Sequence, residues 1–244
     1  MGREAISILT EAYEELCPDA GGGDGGDDDV VDDGGDISAQ IANEVAQLKD
    51  KSKQPFDFMT MGVSALVYVQ IKYKDGPSAA QLAAHVCRQI KSTQQKKSRL
   101  CSRFNPVDYV CAPTADAMKE MATEIASRYF SQGAADDKKS FSVDVEKRAG
   151  STKFNKMDVI NVFATIIPQP PYKVNLNAPD RSVLVNICKG SCGVSVGEDF
   201  RELSKYNLKA LVGEKEDEAE GEGNDGDGGG GGDGGDEKRA AASE

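Results

Sequence analysis

Two stretches of this chain cannot contribute to any core. Residues 21–36 read GGGDGGDDDVVDDGGD, and residues 213–244 are dominated by Gly, Asp, Glu and Ala. Segments this poor in apolar side chains cannot bury enough surface to offset the entropy of an ordered chain, so both are expected to be disordered. Together they hold most of the 26 glycines, and they account for a hydrophobic content of only 39%. Whatever folds must be built from residues 1–16 and 37–212.

That division reverses the meaning of the net charge. The whole chain carries a formal charge of -12, which argues against nucleic acid as a partner. Residues 37–213 alone carry 25 basic and 17 acidic side chains, a net +8. The excess is also clustered. From Gly76 to Val107 there is no acid, while Arg88, Lys91, Lys96, Lys97, Arg99 and Arg103 fall inside that run. Lys147 to Lys156 is a second acid-free run, holding Lys147, Arg148, Lys153 and Lys156. Like charges held close together repel, and phosphate is their usual compensator.

The foldable part alternates helix and strand signals. Ile6, Leu9, Tyr13 and Leu16 recur at helical spacing over 3–16, and a second amphipathic helix is expected over 37–51. Two strands, Phe56–Met61 and Leu66–Tyr73, lead through an Asp75-Gly76-Pro77 turn into a helix over 78–92. Ser98–Phe104 reads as a third strand. The order α, β, β, α, β corresponds to a ferredoxin-like unit without its first strand. Thr114 then caps a helix with Met118, Met121, Ile125 and Phe130 on its apolar side. Phe141–Glu146 alternates like a strand, and Asn155 caps a helix ending near Ile167. Strands at Val183–Lys189 and Gly193–Val196, split near Gly190, precede a short closing helix in FRELSKYNLKAL.

Several functions find no support in the residues. Six cysteines at irregular spacing, with no C-x-x-C pair and a single histidine, His85, argue against zinc and for free thiols. Neither a secretory signal nor an apolar run long enough to span a bilayer is present, so a soluble intracellular protein is expected. Gly190-Ser191-Cys192-Gly193 is the nearest approach to a phosphate loop, but no helix follows it. No nucleophile–base pair is recognisable, so the chain is expected to be non-catalytic, with no cofactor.

The segment Asn175-Leu176-Asn177-Ala178-Pro179-Asp180 leading into Val183-Leu184-Val185-Asn186-Ile187-Cys188-Lys189-Gly190 is similar to the turn and buried strand of THUMP domains. Lys147-Arg148, followed by Gly150 and Ser151-Thr152-Lys153-Phe154 before a helix, resembles the basic region of the same domain. Glu198-Asp199-Phe200 and Lys205-Tyr206-Asn207-Leu208 narrow the resemblance to the THUMP-domain adaptors of eukaryotic tRNA cytidine acetyltransferases. The resemblance implies an α+β protein. Its first helix (1–16) and residues 37–107 would form a ferredoxin-like half, and 108–212 a THUMP domain. A disordered acidic linker (17–36) and tail (213–244) complete the expected organisation. It implies tRNA as ligand and an RNA cytidine acetyltransferase, using acetyl-CoA and ATP, as partner. The product would be a cytidine acetylated on its 4-amino group in the D-arm of serine and leucine tRNAs. It places the protein in the nucleus, nucleolus included, and/or the cytoplasm.

On this reading Lys147, Arg148, Lys153 and Lys156 are the main RNA contacts. Lys96, Lys97, Arg99 and Arg103 extend the surface, and Lys189, beside a glycine at a strand end, points at a phosphate. Two rival readings are an RNA-binding subunit or fragment of another tRNA-modifying enzyme and an acidic scaffold protein.

Overall fold

The computed structural model describes residues 1–18, 54–60, 62–130, 140–148 and 154–213. The helix expected over 37–51, nearly all of the acidic linker, the tail from 214 onward and Lys153 lie outside the described residues.

Helix α1 (Gly2–Leu16) and helix α2 (Ala79–Thr93) pack together through small side chains. The buried stripe of α1 is Ala5, Ile8 and Ala12; the expected Ile6, Leu9 and Tyr13 sit on its shoulders, and Leu16 is exposed. Ala80, Ala83 and Ala84 of α2 are also buried. Alanines bring the two helix axes close, which rotates the larger residues to the edges of the contact. A reciprocal capping box begins α2: Ser78 Oγ accepts from the Gln81 amide, and Gln81 Oε1 accepts from the Ser78 amide. Strands β1 (Phe56–Met59) and β2 (Tyr68–Ile71) form an antiparallel ribbon against these helices. Phe56, Tyr13 and Tyr73 make an aromatic cluster between ribbon and α1.

The third strand expected at Ser98–Phe104 does not form. Its amides are taken by side chains: Arg99 and Leu100 donate to the Glu4 carboxylate, and Cys101 donates to Ser98 Oγ. Only a single bridge, Arg103 to Asn207, has strand character. The next strand in the chain is β3 (Tyr109–Cys111), which pairs with a later sheet.

β3 is the edge of a five-stranded sheet with β4 (Ser140–Arg148), β5 (Lys173–Val174), β6 (Arg181–Cys188) and β7 (Ser191–Gly197), in the order β3-β7-β6-β4-β5. β4 runs parallel to β5 and β6, while β7 is antiparallel to β6 and β3. Helices α3 (Ala115–Tyr129) and α4 (Lys156–Ile166) cover one face. Thr114 caps α3, and Asn155 with Asp158 forms a second capping box at α4. The core beneath them uses alternate strand positions: Phe141, Val143 and Val145; Val183, Val185 and Ile187; Cys192, Val194 and Val196.

The opposite face meets the N-terminal helices. Leu184 is its one buried large apolar strand residue, and it joins the α1–α2 core rather than the other. The described residues close with a 3-10 turn (Ser204–Tyr206) and one turn of helix, α5 (Leu208–Leu211), shorter than the expected closing helix. Leu203, Tyr206, Leu208 and Leu211 seal this second core. Removing Leu184 would open a cavity between sheet and helices. Leu184→Ala is therefore expected to lower the unfolding free energy by about 2–4 kcal/mol, read from urea denaturation.

Candidate nucleic-acid interface

β4 and β6 are parallel and in register to their last residues, Lys147 opposite Ile187 and Arg148 opposite Cys188. The basic end of β4 therefore lies beside Lys189, which begins the β6–β7 turn with φ 52°. Alternation sends Lys147 and Arg148 to opposite faces. Lys147 Nζ donates to the Phe154 carbonyl at 2.9 Å, just before α4, whose first residue is the exposed Lys156. Arg148 Nε pairs with Glu146 Oε1 at 2.6 Å. Lys147, Arg148, Lys156 and Lys189 are thus gathered at one end of the sheet.

The other basic run is placed differently. Lys97 Nζ lies 2.7 Å from Glu11 and 2.7 Å from the Gln89 side-chain oxygen. His85 Nε2 is 2.7 Å from Glu15, which also accepts from Gln89. The Glu4 carboxyl is held below its ordinary value, first of all by the Arg99 amide. The acids of α1 therefore face a run that contains none of its own. Lys96 and Arg99 are exposed on this α1 side, and only Arg103 reaches the interior.

Arg103 and Arg148 line a common cleft of about 740 Å³ between the β1–β2 ribbon, the 101–110 segment and the second face of the sheet. Tyr68, Asp108, Glu146 and Asn186 also line it. None of these four stood among the expected contacts. Tyr68 carried only a strand signal, and its place beside the basic end comes from tertiary packing. Burial, with Cys188 as a hydrogen-bonding neighbour, pushes its hydroxyl up to about 12. It remains neutral at physiological pH and offers a ring on which a base can stack.

Asp108 fastens this cleft to the helices. Its Oδ1 accepts the Ala79 amide at 2.7 Å at the start of α2, while Oδ2 is buried with no hydrogen-bond partner among the described residues. Nearby, the Pro106 carbonyl accepts from Ser195 Oγ at 3.0 Å and Asn186 Nδ2 at 3.3 Å. Gly190 sits in a strand-to-strand turn with β7 directly after it, so Gly190–Gly193 has no helix N-terminus to aim at a phosphate. Among the described residues there is no group of three or more His, Cys, Asp or Glu able to hold a metal. No described helix is long and apolar enough to cross a membrane.

Residues 112–197, from the end of β3 to the end of β7, match the THUMP domain family. THUMP domain-containing protein 1 of Bos taurus is 27% identical over 221 residues, covering 88% of this chain and 60% of that protein. The Drosophila melanogaster homolog is 24% identical over 172 residues, covering 70% of this chain and 51% of that protein. The chain thus spans about 60% of the length of its mammalian relatives. The solution structure of the THUMP domain of THUMP domain-containing protein 1 is 26% identical, covers 34% of this chain and 83% of that one, and superposes with a TM-score of 0.30. TrmN from Thermus thermophilus is 13% identical, covers 65% and 41% of the two chains, and superposes with a TM-score of 0.36.

The Asp108 carboxyl is raised by burial, against the pull of the Ala79 and Ala80 amides. An acid whose pKa rises on folding contributes stability below its unfolded pKa and loses that contribution as pH climbs through the folded value. Asp108→Asn cannot ionise. Its stability relative to the unaltered protein should therefore improve as pH rises from about 4 toward neutrality. Urea midpoints for both proteins across that range test this; a difference independent of pH would contradict it.

Proposed function

We propose that this protein is a tRNA-binding adaptor, whose THUMP domain grips the RNA while a separate RNA cytidine acetyltransferase performs the chemistry. The observation that carries the reading is the convergence of Lys147, Arg148, Lys156 and Lys189 at one end of the THUMP sheet. Phosphate contacts of this kind supply affinity with little sequence information, and they suit a partner recognised by its folded shape. The neighbouring cleft adds an aromatic ring, Tyr68, and a mixed set of polar groups. An unpaired nucleotide continuing from a stem fits such chemistry.

The two basic groups have unequal roles. Arg148 pairs with Glu146, and Asp158, the acid in the first turn of α4, accepts the Asn155 amide. Lys97 must leave Glu11 before it can meet a phosphate. Lys96, Arg99 and Arg103 form a secondary track, and Lys153 remains a candidate from its place in the sequence between Arg148 and Lys156. The substrates, by family resemblance, are serine and leucine tRNAs. Acetyl-CoA and ATP belong to the partner enzyme, which would acetylate a D-arm cytidine on its 4-amino nitrogen. No cofactor is assigned to this chain.

The salt dependence of tRNA binding tests the interface. Lys147→Ala/Arg148→Ala should bind more weakly, with a log–log salt slope shallower by roughly one to two charges, since Arg148 is itself paired with Glu146. Lys97→Ala should change the slope less, because its charge is already compensated. Binding by the unaltered chain no better than by a neutral control protein would overturn the reading. The division of labour has its own assay. Given tRNA, acetyl-CoA and ATP, the purified chain alone should yield no acetylcytidine by mass spectrometry, and addition of the acetyltransferase should produce it.

A further inference from the structure

We infer that Cys111 and Cys192 form a reversible redox site, which a peroxide converts to a cross-strand disulfide fastening β3 to the THUMP sheet. The two residues stand directly opposite each other in the antiparallel β3–β7 pair. Directly opposed residues share a face and hold their Cα atoms about 4.5–5.5 Å apart, inside the range a disulfide spans. Here the two thiols already interact with each other by a hydrogen bond. The other four cysteines have no such placement. Cys17, Cys87 and Cys101 lie outside the strands, and Cys188 is opposite Ser191 on one side and Arg148 on the other.

The two sulfurs are not equivalent. Cys111 is half-buried on an edge strand, whereas Cys192 is fully buried. Burial pushes the Cys192 thiol up to about 12, and it raises Cys111 while the Cys192 hydrogen bond works in the opposite direction. Cys111 is therefore the sulfur that meets the oxidant, and Cys192 the one that resolves it. Cys111 attacks hydrogen peroxide, breaking the O–O bond to give a sulfenic acid and one water. The Cys192 sulfur then attacks the Cys111 sulfur, the S–OH bond breaks, and a second water leaves with the remaining thiol proton. Two thiols lose two electrons to one peroxide, and a dithiol reductant reverses the change.

The consequence follows from what β3 carries. Three residues before Cys111, Asp108 holds the start of α2, and Pro106 is hydrogen-bonded to Asn186 and Ser195. A covalent bond at Cys111 prevents β3 from peeling off β7, and so fixes the wall of the cleft that these residues form. The bond closes a loop of about 80 residues, a length at which a cross-link strongly restricts the unfolded chain.

The test uses the full chain, reduced, desalted and exposed to hydrogen peroxide. Remaining thiols are then alkylated under denaturing conditions and peptides mapped without reduction. The expected result is a linked Cys111–Cys192 peptide, loss of two of six alkylatable thiols, and reversal by dithiothreitol. The oxidised chain should melt about 10 °C higher. Cys111→Ser should abolish both the link and the shift, and Cys17→Ser should preserve both. Linked peptides from other cysteines would overturn the assignment. So would Cys111 passing to sulfinic acid while Cys192 stays fully alkylatable. Mapping of the unaltered chain decides the matter even if a cysteine variant fails to fold. The site stands or falls independently of RNA binding.

Discussion

The two faces of β4, β6 and β7 set the terms for everything else in this molecule. Toward α3 and α4 the strands present Phe, Val, Ile and Cys, and burial there is simple hydrophobic packing. Toward the N-terminal helices they present Ser142, Asp144, Ser182, Asn186 and Ser195, with Leu184 as the one large apolar contact. Polar groups can be covered only if each finds a partner. Ser142 and Ser182 hydroxyls lie 3.0 Å apart, and Arg201 reaches both oxygens of Asp144 at 3.0 Å. On this face the polar side chains pair with one another and with the segment after β7, and Leu184 is the large apolar residue that the sheet adds to the α1–α2 core.

The same topology creates the basic end. Parallel strands joined through a helix must finish on the same side of the sheet, so the ends of β4 and β6 and the start of α4 are neighbours by construction. Lys189 is thereby brought, from some 40 positions away in sequence, to the same end of the sheet as Lys147 and Arg148. In the acid-free run from Gly76 to Val107, packing has the opposite effect. Glu11 of α1 pairs with Lys97, and Asp199 and Glu202 pair with Arg88 and Lys91, so part of the positive charge is spent within the fold. Charge counted along the chain ranked these two clusters alike; only contact between elements separates them.

Much of the architecture was legible because it is written in local chemistry. Ser78, Thr114 and Asn155 mark helix starts, and each accepts a backbone amide, as expected for Thr114 and Asn155. The Asn175–Asp180 motif also has a clear physical content. Asn175 Oδ1 accepts the Asn177 and Ala178 amides to make the turn, and Asp180 accepts the Ser140 amide and hydroxyl, setting β6 against the start of β4. The ending Glu198–Leu208 is equally concrete: Asp199 pairs with Arg88 of α2, the Glu198 carbonyl receives the Tyr206 hydroxyl, and Tyr206 and Leu208 are buried. What could not be read was decided at a distance. Ser98–Phe104 has strand composition, but Glu4, almost a hundred residues away, claims two of its amides. Tyr68 carries only a strand signal and Asp108 none, since their place in the cleft depends on two units meeting.

The short passage from Pro106 to Cys111 carries that meeting. Val107 lies flush on β7 because position 193 is glycine; a Cβ there would stand 2.7 Å from a Val107 methyl. One residue before Val107, the Pro106 carbonyl is held by two sheet side chains. One residue after it, Asp108 holds α2. Six residues thus touch the sheet, the helices and the cleft in succession. An RNA spanning the basic end and the cleft would contact groups from both sides of this passage. The relative position of those groups is set less by the size of either core than by how firmly β3 stays on β7. Three residues of edge strand are a weak hold by themselves, and the polar contacts on either side of them supply the precision that a hydrophobic interface would not.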